Sequence, residues 1–234
     1  MDSSGWDPYD LVTVNWNPRQ TELWMFHVKR SCPGANVVLI DDGKPFPWCW
    51  SSGKLNCFAD FPGLRNPGRF VYMDTDTIVT RDVGEVFELM GDAKLAASSA
   101  VPSNTMNAWA RSEGERKNVD VAFELSRDHP PVHYSSGFMV LKDYPPADLG
   151  FKWSSAMAYE PLRATFGRHR CYEEIALSYV IAADRIPLWD MPLEIHGNLL
   201  GRHKCFGHTR TPMVIHYHNE RRLKINNLER YIVR

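Results

Sequence analysis

Two aspartates stand one residue apart at the end of an apolar run, in the stretch FVYMDTDTIV (residues 70–79). Phe70, Val71, Tyr72 and Met73 lead straight into Asp74, and Ile78 and Val79 follow Asp76. In a strand, alternation puts Asp74 and Asp76 on one face. Two like charges there repel, and their burial is costly without a cation or hydrogen-bond donors. A divalent metal resolves the conflict, because carboxylates together with ligand phosphates are a usual way to hold Mg2+ or Mn2+. A chain of ordinary composition and this length contains about one Asp-x-Asp by chance, so the context carries the weight. The end of a central strand in an open α/β sheet is where ligands bind. The competing explanation is a strand-end turn in which the aspartates cap local amides.

The elements that would position this pair can be read from apolar spacing. Strands are predicted over 10–15, 35–43, 70–79, 94–101, 134–142 and 212–219. Helices are predicted over 21–31, 54–61, 83–91, 118–127 and 173–183, with Leu23, Phe26 and Val28 sharing an apolar face of the first and Gly91 ending the third. Strands alternating with helices predict an α/β fold with a mostly parallel central sheet flanked by helices. No linker interrupts the pattern, so one domain is expected over 1–234, with its core at about 10–225.

The chain has 234 residues, 44% hydrophobic and 24% charged, with a net charge of −1. That balance gives no reason to expect nucleic acid or an anionic membrane as a partner. The five cysteines (Cys32, Cys49, Cys57, Cys171, Cys205) form no Cys-x-x-Cys, which points to a reducing, cytoplasmic setting. MDSSGWDPYD lacks the basic and apolar regions of a signal peptide, and no stretch approaches a membrane span. The tract HKCFGH (203–208) lacks the paired-cysteine spacing of a structural zinc site.

Two families resemble the acidic strand. MDTDTIV matches the first motif of haloacid-dehalogenase-type phosphatases, which would make Asp74 a nucleophile and Asp76 a general acid. That family expects its motif near the first strand and a late acidic pair, whereas here about 70 residues of α/β pattern precede the motif and no such pair follows Leu141. The second resemblance runs further. FVYMDTDTIVTRDVGEVFEL resembles the apolar-Tyr-x-Asp-x-Asp strand and following Asp-x-x-x-Leu-Phe helix of A-type glycosyltransferases of the retaining glycogenin and bacterial galactosyltransferase type. YSSGFMVLK resembles that family's Asn-Ser-Gly strand, with Ser135 where Asn is usual. YEEIALSYV resembles its Asp-Gln helix, with Glu173 and Glu174 in those places. VIHYHNERRLK resembles its closing His motif without the Gly and Pro-Trp, and PWCWSSGKLNCF resembles a Trp-x-x-Lys segment of related bacterial and phage-type transferases.

The second resemblance implies a Rossmann-like, A-type fold that moves a sugar from a nucleotide-sugar to an acceptor of unknown identity, with retention. It implies a UDP-sugar donor and Mn2+ (or Mg2+) on Asp74, Asp76 and either His216 or His218, with His216 favoured. Thr75 would contact the nucleotide, and Ser136 and Gly137 would line the donor sugar or the acceptor. Asn15 would meet the nucleobase, and Asp42 the base or ribose. Lys54, Arg222 and Lys224, with Arg221 beside them, would face the phosphates; a solvated basic tail explains Arg221 equally well. Glu173, Glu174 and Asp76 are the catalytic candidates, Glu173 by orienting sugar hydroxyls or, in a double displacement, as nucleophile. An acidic first helical turn is the plainer account of Glu173 and Glu174. Trp48, Trp50 and Trp109 fall in predicted loops, where aromatic faces suit sugar rings and core packing alike. A non-catalytic nucleotide- or carbohydrate-binding module is the alternative outside enzymes.

Overall fold

The computed structural model describes residues 7–41, 49, 52–99, 133–167, 171–198 and 211–217. Among these residues there are nine strands: β1 (Tyr9–Asn15), β2 (Ala35–Asp41), β3 (Arg69–Met73), β4 (Thr77–Val79), β5 (Leu95–Ser99), β6 (Tyr134–Lys142), β7 (Leu188–Asp190), β8 (His196–Asn198) and β9 (Val214–His216). The helices are α1 (Pro18–Ser31), α2 (Val86–Leu89), α3 (Pro146–Ala158), α4 (Glu160–Phe166) and α5 (Tyr172–Ala183). A six-stranded sheet has the order β2-β1-β3-β6-β5-β7, and β4-β9-β8 form a small second sheet.

β1 lies parallel to β2 and β3, and β5 is parallel to β7. β6 runs antiparallel to both of its neighbours, β3 and β5. That reversal brings the first half of β6 beside the carboxyl end of β3. Side-chain alternation covers both faces of the main sheet. Phe70, Tyr72, Met139 and Leu141 pack with Trp153 and Leu177 on one side. Val71, Met73, Phe138 and Val140 pack with Trp24 and Phe87 on the other. Strands with both faces buried read as continuous apolar runs, and β3 does.

Local chemistry explains the helix ends. Asn17 caps α1, its side-chain oxygen accepting the amides of Arg19 and Gln20, and Pro18 opens the first turn. The buried face of α1 is Thr21, Trp24, His27 and Val28, whereas Leu23 is half-buried and Phe26 exposed. The predicted face was thus rotated, because the large Trp24 and not Phe26 takes the position over the sheet. The helix expected at 54–61 is a 3-10 turn, Ser52–Cys57. The one expected at 83–91 is a 3-10 turn, Val83–Glu85, running into the short α2, with Gly91 past its end. The single strand predicted over 70–79 is two strands in two sheets, broken at Asp74–Asp76. β9 covers only three of the residues predicted as strand over 212–219. The helix predicted over 118–127 and the tryptophans Trp48, Trp50 and Trp109 lie outside the described residues. Among the described residues no helix is long and apolar enough to cross a membrane.

α3 lies against the backbone of Phe58. A Cβ on Gly150 would come within 1.9 Å of the Phe58 carbonyl oxygen. Phe58 in turn meets Phe70, Tyr72 and Trp153 at ring-centroid distances of 5.3, 5.4 and 5.4 Å. Gly150→Ala is therefore expected to cost about 3 kcal/mol, the upper range for overpacking. Urea unfolding should show a lower midpoint at unchanged slope.

Candidate active site

β3 ends on one last rung, in which the Asp74 amide donates to the Gly137 carbonyl at 2.8 Å. The chain then turns, and the Thr77 hydroxyl closes that turn by donating to the Asp74 carbonyl at 2.8 Å. β4 leaves for the second sheet, where Thr77 pairs with His216 of β9. The Tyr217 amide donates to the Asp76 carbonyl at 3.0 Å, fastening β9 to the same turn. Asp74 and Asp76 thus converge from a turn, not from one strand face, and β9 carries an imidazole to meet them.

His216 Nε2 lies 3.0 Å from Asp76 Oδ1 and 3.8 Å from Asp74 Oδ2. One ligand atom from each of the three residues lies within 4.8 Å of the others. Donor atoms bound at about 2.1 Å to an octahedral cation sit about 3 Å apart when adjacent and about 4 Å when opposite. The two distances from His216 fall in that range, and a mixture of carboxylate oxygens with one imidazole nitrogen suits Mn2+ or Mg2+. Among the described residues it is His216 that completes the group, and His218 lies outside them.

Gly137 sits directly under the His216 imidazole. A Cβ there would fall 2.2 Å from His216 Cε1 and 3.2 Å from Asp74 Oδ2. Only a residue without a side chain lets the ring reach Asp76. Behind His216, His196 of β8 stacks at 5.8 Å with rings 18° apart. Its Nδ1 is 2.5 Å from Ser98 Oγ. Burial, and then the charge of His216, push His196 down to about 3, so it is a neutral packing partner. Burial opposes charge on His216 too, but Asp76 and then Asp74 outweigh it and hold its pKa above the ordinary value.

Lys54 comes up from the 3-10 turn and is buried. Its Nζ donates to Ser136 Oγ at 2.8 Å and lies 3.4 Å from Asp74 Oδ2 and 3.8 Å from Glu173 Oε1. Burial would discharge it, but Asp74 and Glu173 win and raise its pKa, so it remains a cation. The Tyr72 hydroxyl donates to Asp74 Oδ1. Burial and then Asp74 push that phenol far above its ordinary range, so it stays a donor. Thr75 is buried between the two aspartates, with no hydrogen-bond partner for its hydroxyl among the described residues.

α5 supplies the two glutamates. Glu173 faces Lys54, and Trp153 Nε1 donates to its carbonyl at 2.7 Å. Glu174 Oε1 accepts the Ser136 amide at 3.1 Å, and its Oε2 is 2.9 Å from His133 Nε2. Asn15 ends β1 opposite Asp41, at the same carboxyl edge as Asp74, and its Oδ1 accepts the Thr21 hydroxyl at 2.8 Å. The structure thus gathers Asp74, Thr75, Asp76, Lys54, Ser136, Gly137, Glu173, Glu174 and His216. Asp42, Arg221, Arg222 and Lys224 lie outside the described residues. Sequence reasoning missed Tyr72, His133 and His196. Tyr72 precedes Asp74 by two residues on the same strand, and His133 stands one residue before β6. His196 sits in a tract without readable periodicity.

Neither a family model nor a curated protein sequence matches the chain. Solved structures do. The galactosyltransferase LgtC, in complex with donor and acceptor sugar analogues, aligns at a TM-score of 0.56 and 11% identity, over 95% of this chain and 95% of that one. The bifunctional glycosyltransferase WbbM, in its apo form, gives 0.56 at 12% identity, over 94% of this chain and 47% of that one. Mouse xyloside xylosyltransferase 1, also apo, gives 0.53 at 10% identity, over 90% of this chain and 97% of that one. The chain spans about half the length of WbbM. At these identities the likeness establishes the fold, which is that of the A-type glycosyltransferases, as the sequence motifs led us to expect.

Two outcomes follow from the geometry. Gly137→Ala displaces His216 and should weaken Mn2+ binding by about tenfold or more, with far-UV circular dichroism retained. Metal binding must also expel the proton of a charged His216. Mn2+ affinity, measured by calorimetry, should therefore fall towards about tenfold per pH unit below the raised pKa of His216. Stability of the metal-free protein runs the other way. The contribution of His216 is complete below its ordinary value of 6.5 and is lost as pH rises through its raised folded value. A metal affinity that stayed flat from about pH 8 to about pH 6 would remove His216 from the ligand set.

Proposed function

We propose that the protein is a metal-dependent glycosyltransferase that moves a sugar from a UDP-sugar to an acceptor with retention of configuration. The observation that carries this reading is the Asp74–Asp76–His216 group, set at the carboxyl edge of an A-type glycosyltransferase sheet with the buried cation Lys54 beside it. Asp74, Asp76 and His216 would hold Mn2+ or Mg2+, which when bound neutralises the charge that grows on the leaving diphosphate.

The chain's own groups would do the rest. Lys54 stays charged in a buried site, where a fixed cation acts strongly on developing negative charge. Ser136 and Gly137 would border the donor sugar, with the Ser136 hydroxyl oriented by Lys54. Glu173 would face the sugar hydroxyls or the cationic anomeric carbon. Asn15 would meet the nucleobase at the end of β1, and Thr75 would face the nucleotide. Asp42, Arg222 and Lys224 complete the proposed donor contacts with base, ribose and phosphate.

The fold weighs against the phosphatase alternative, and so do the surroundings of Asp74. The Tyr72 hydroxyl, Lys54 and His216 all face the Asp74 carboxylate, an arrangement that suits a charge held in place for a cation.

The test is a thermal-shift screen of UDP, GDP, CMP and ADP, each with and without Mn2+. We expect a rise with UDP only when Mn2+ is present, worth about 2.7 kcal/mol at 100 times Kd. Asp76→Ala should abolish it while leaving the fold intact. UDP binding without turnover of any UDP-sugar would favour the binding module. Hydrolysis of a small phosphoester, with no response to nucleotides, would restore the phosphatase.

A further inference from the structure

We infer that His133 and Glu174 are paired positioning residues of the site, and that Glu174 is not the carboxylate that meets the donor sugar. The inference rests on the transferase reading above and assigns a division of labour between two adjacent glutamates.

The starting point is an irregularity in β6. Its pairing with β5 is regular from Leu95 to Ala97 and then shifts between Ala97 and Ser99. A shift of this kind re-aims a strand and disturbs its ladder. Beyond it, α5 takes over two of the amides of β6. The Tyr134 amide donates to Ser178 Oγ at 3.0 Å, and the Ser136 amide donates to Glu174 Oε1 at 3.1 Å. The match is one of pitch. Two strand residues advance about 6.7 Å, and one helical turn about 5.4 Å. Residues four apart on α5 can therefore serve residues two apart on β6.

Each carboxylate oxygen of Glu174 already faces a neighbour. Oε1 holds Ser136, and Oε2 is 2.9 Å from His133 Nε2. Both side chains are largely buried, at 15% and 3% exposure. A carboxylate at that depth needs compensation, and removing its partner leaves a charge that must tilt or take a proton. Burial raises the affinity of Glu174 for a proton, yet His133, Lys54 and the Ser136 amide together hold its pKa well below the usual range.

The tether matters because of what it holds. Ser136 Oγ is the acceptor for Lys54, and the next residue, Gly137, accepts the Asp74 amide and lies under His216. A displaced Glu174 therefore disturbs Ser136 first and, through it, the placement of the Lys54 cation. Glu173 differs, because its Oε1 turns to Lys54 at 3.8 Å, on the side of Asp74.

The test uses His133→Ala, His133→Gln, Glu174→Ala, Glu174→Gln and the double alanine variant. Release of UDP from UDP-galactose and UDP-glucose gives the rate, and Mn2+-dependent UDP binding checks the metal site. His133→Ala should lower kcat by about thirtyfold, with donor KM and UDP affinity within about threefold. His133→Gln should recover most of that loss, since its amide can donate to the same carboxylate oxygen. Glu174→Gln keeps an acceptor for Ser136 and should lose less than about tenfold in kcat. The double alanine variant should be no worse than the poorer single one, because the two residues act through each other.

The inference is overturned if Glu174→Gln folds, binds UDP with Mn2+ and still loses more than about a thousandfold, as a group acting on the sugar would. It is also overturned if the alanine losses multiply, or if His133→Gln is no better than His133→Ala. If an alanine variant fails to fold, the two glutamine variants decide. Hydrogen exchange at the Ser136 amide, without ligand, keeps this separate from the transferase reading. Should the wild type release no UDP from either donor, that reading fails by itself. Exchange that quickens in His133→Ala and recovers in His133→Gln would still support the tether, whereas unchanged exchange in His133→Ala would overturn it.

Discussion

Four carboxylates crowd the carboxyl end of β3, and that crowding is the constraint the surrounding structure satisfies. Asp74 and Asp76 come from the turn after the strand, and Glu173 and Glu174 from the first turn of α5. Their side chains are largely shielded from water, where like charges cannot be left unopposed. Three basic groups answer them at specific positions. Lys54 stands between Asp74 and Glu173, His216 lies over Asp76, and His133 backs Glu174. A buried lysine that remains charged is the mark of this balance.

Each backbone irregularity of the described fold near this end serves that arrangement. The break between β3 and β4 lets one short peptide carry two carboxylates into one volume while its flanks join different sheets. The antiparallel run of β6, exceptional among parallel neighbours, brings Ser136 and Gly137 to the edge where Asp74 emerges. The register shift against β5 lets α5 take over hydrogen bonds that a strand would otherwise make. Gly137 clears room for an imidazole, much as Gly150 of α3 clears room for the backbone of Phe58.

How much of this the sequence reveals depends on how local the cause is. β6 is legible to the residue, because its apolar run is long and bounded by polar residues. The aspartate pair is legible because charge after four apolar residues is rare without a reason. The break at Asp74 is not, since the decision to enter another sheet is made by β9, far along the chain. The face of α1 is misread because Phe26 and Trp24 are both large and apolar, and only the shape of the sheet beneath chooses between them. The roles of Glu173 and Glu174 look alike in sequence and separate only when Lys54 and His133 are set beside them. His196 acts by stacking on another histidine from a parallel strand, and no sequence period encodes such a pairing.

The joining of β4 to β9 also sets an order of events during synthesis. Asp74 and Asp76 leave the ribosome long before His216 does, and among the described residues the strand that pairs with β4 is the late β9. Through that interval the acidic turn has Lys54 at hand but neither the imidazole nor the Tyr217 amide that later fastens it. Closing such a long loop is slow compared with forming the β1–β2 and β1–β3 pairs upstream. The nascent chain can therefore build much of its main sheet before Asp74, Asp76 and His216, the group that could hold a metal ion, come together with the last described strand.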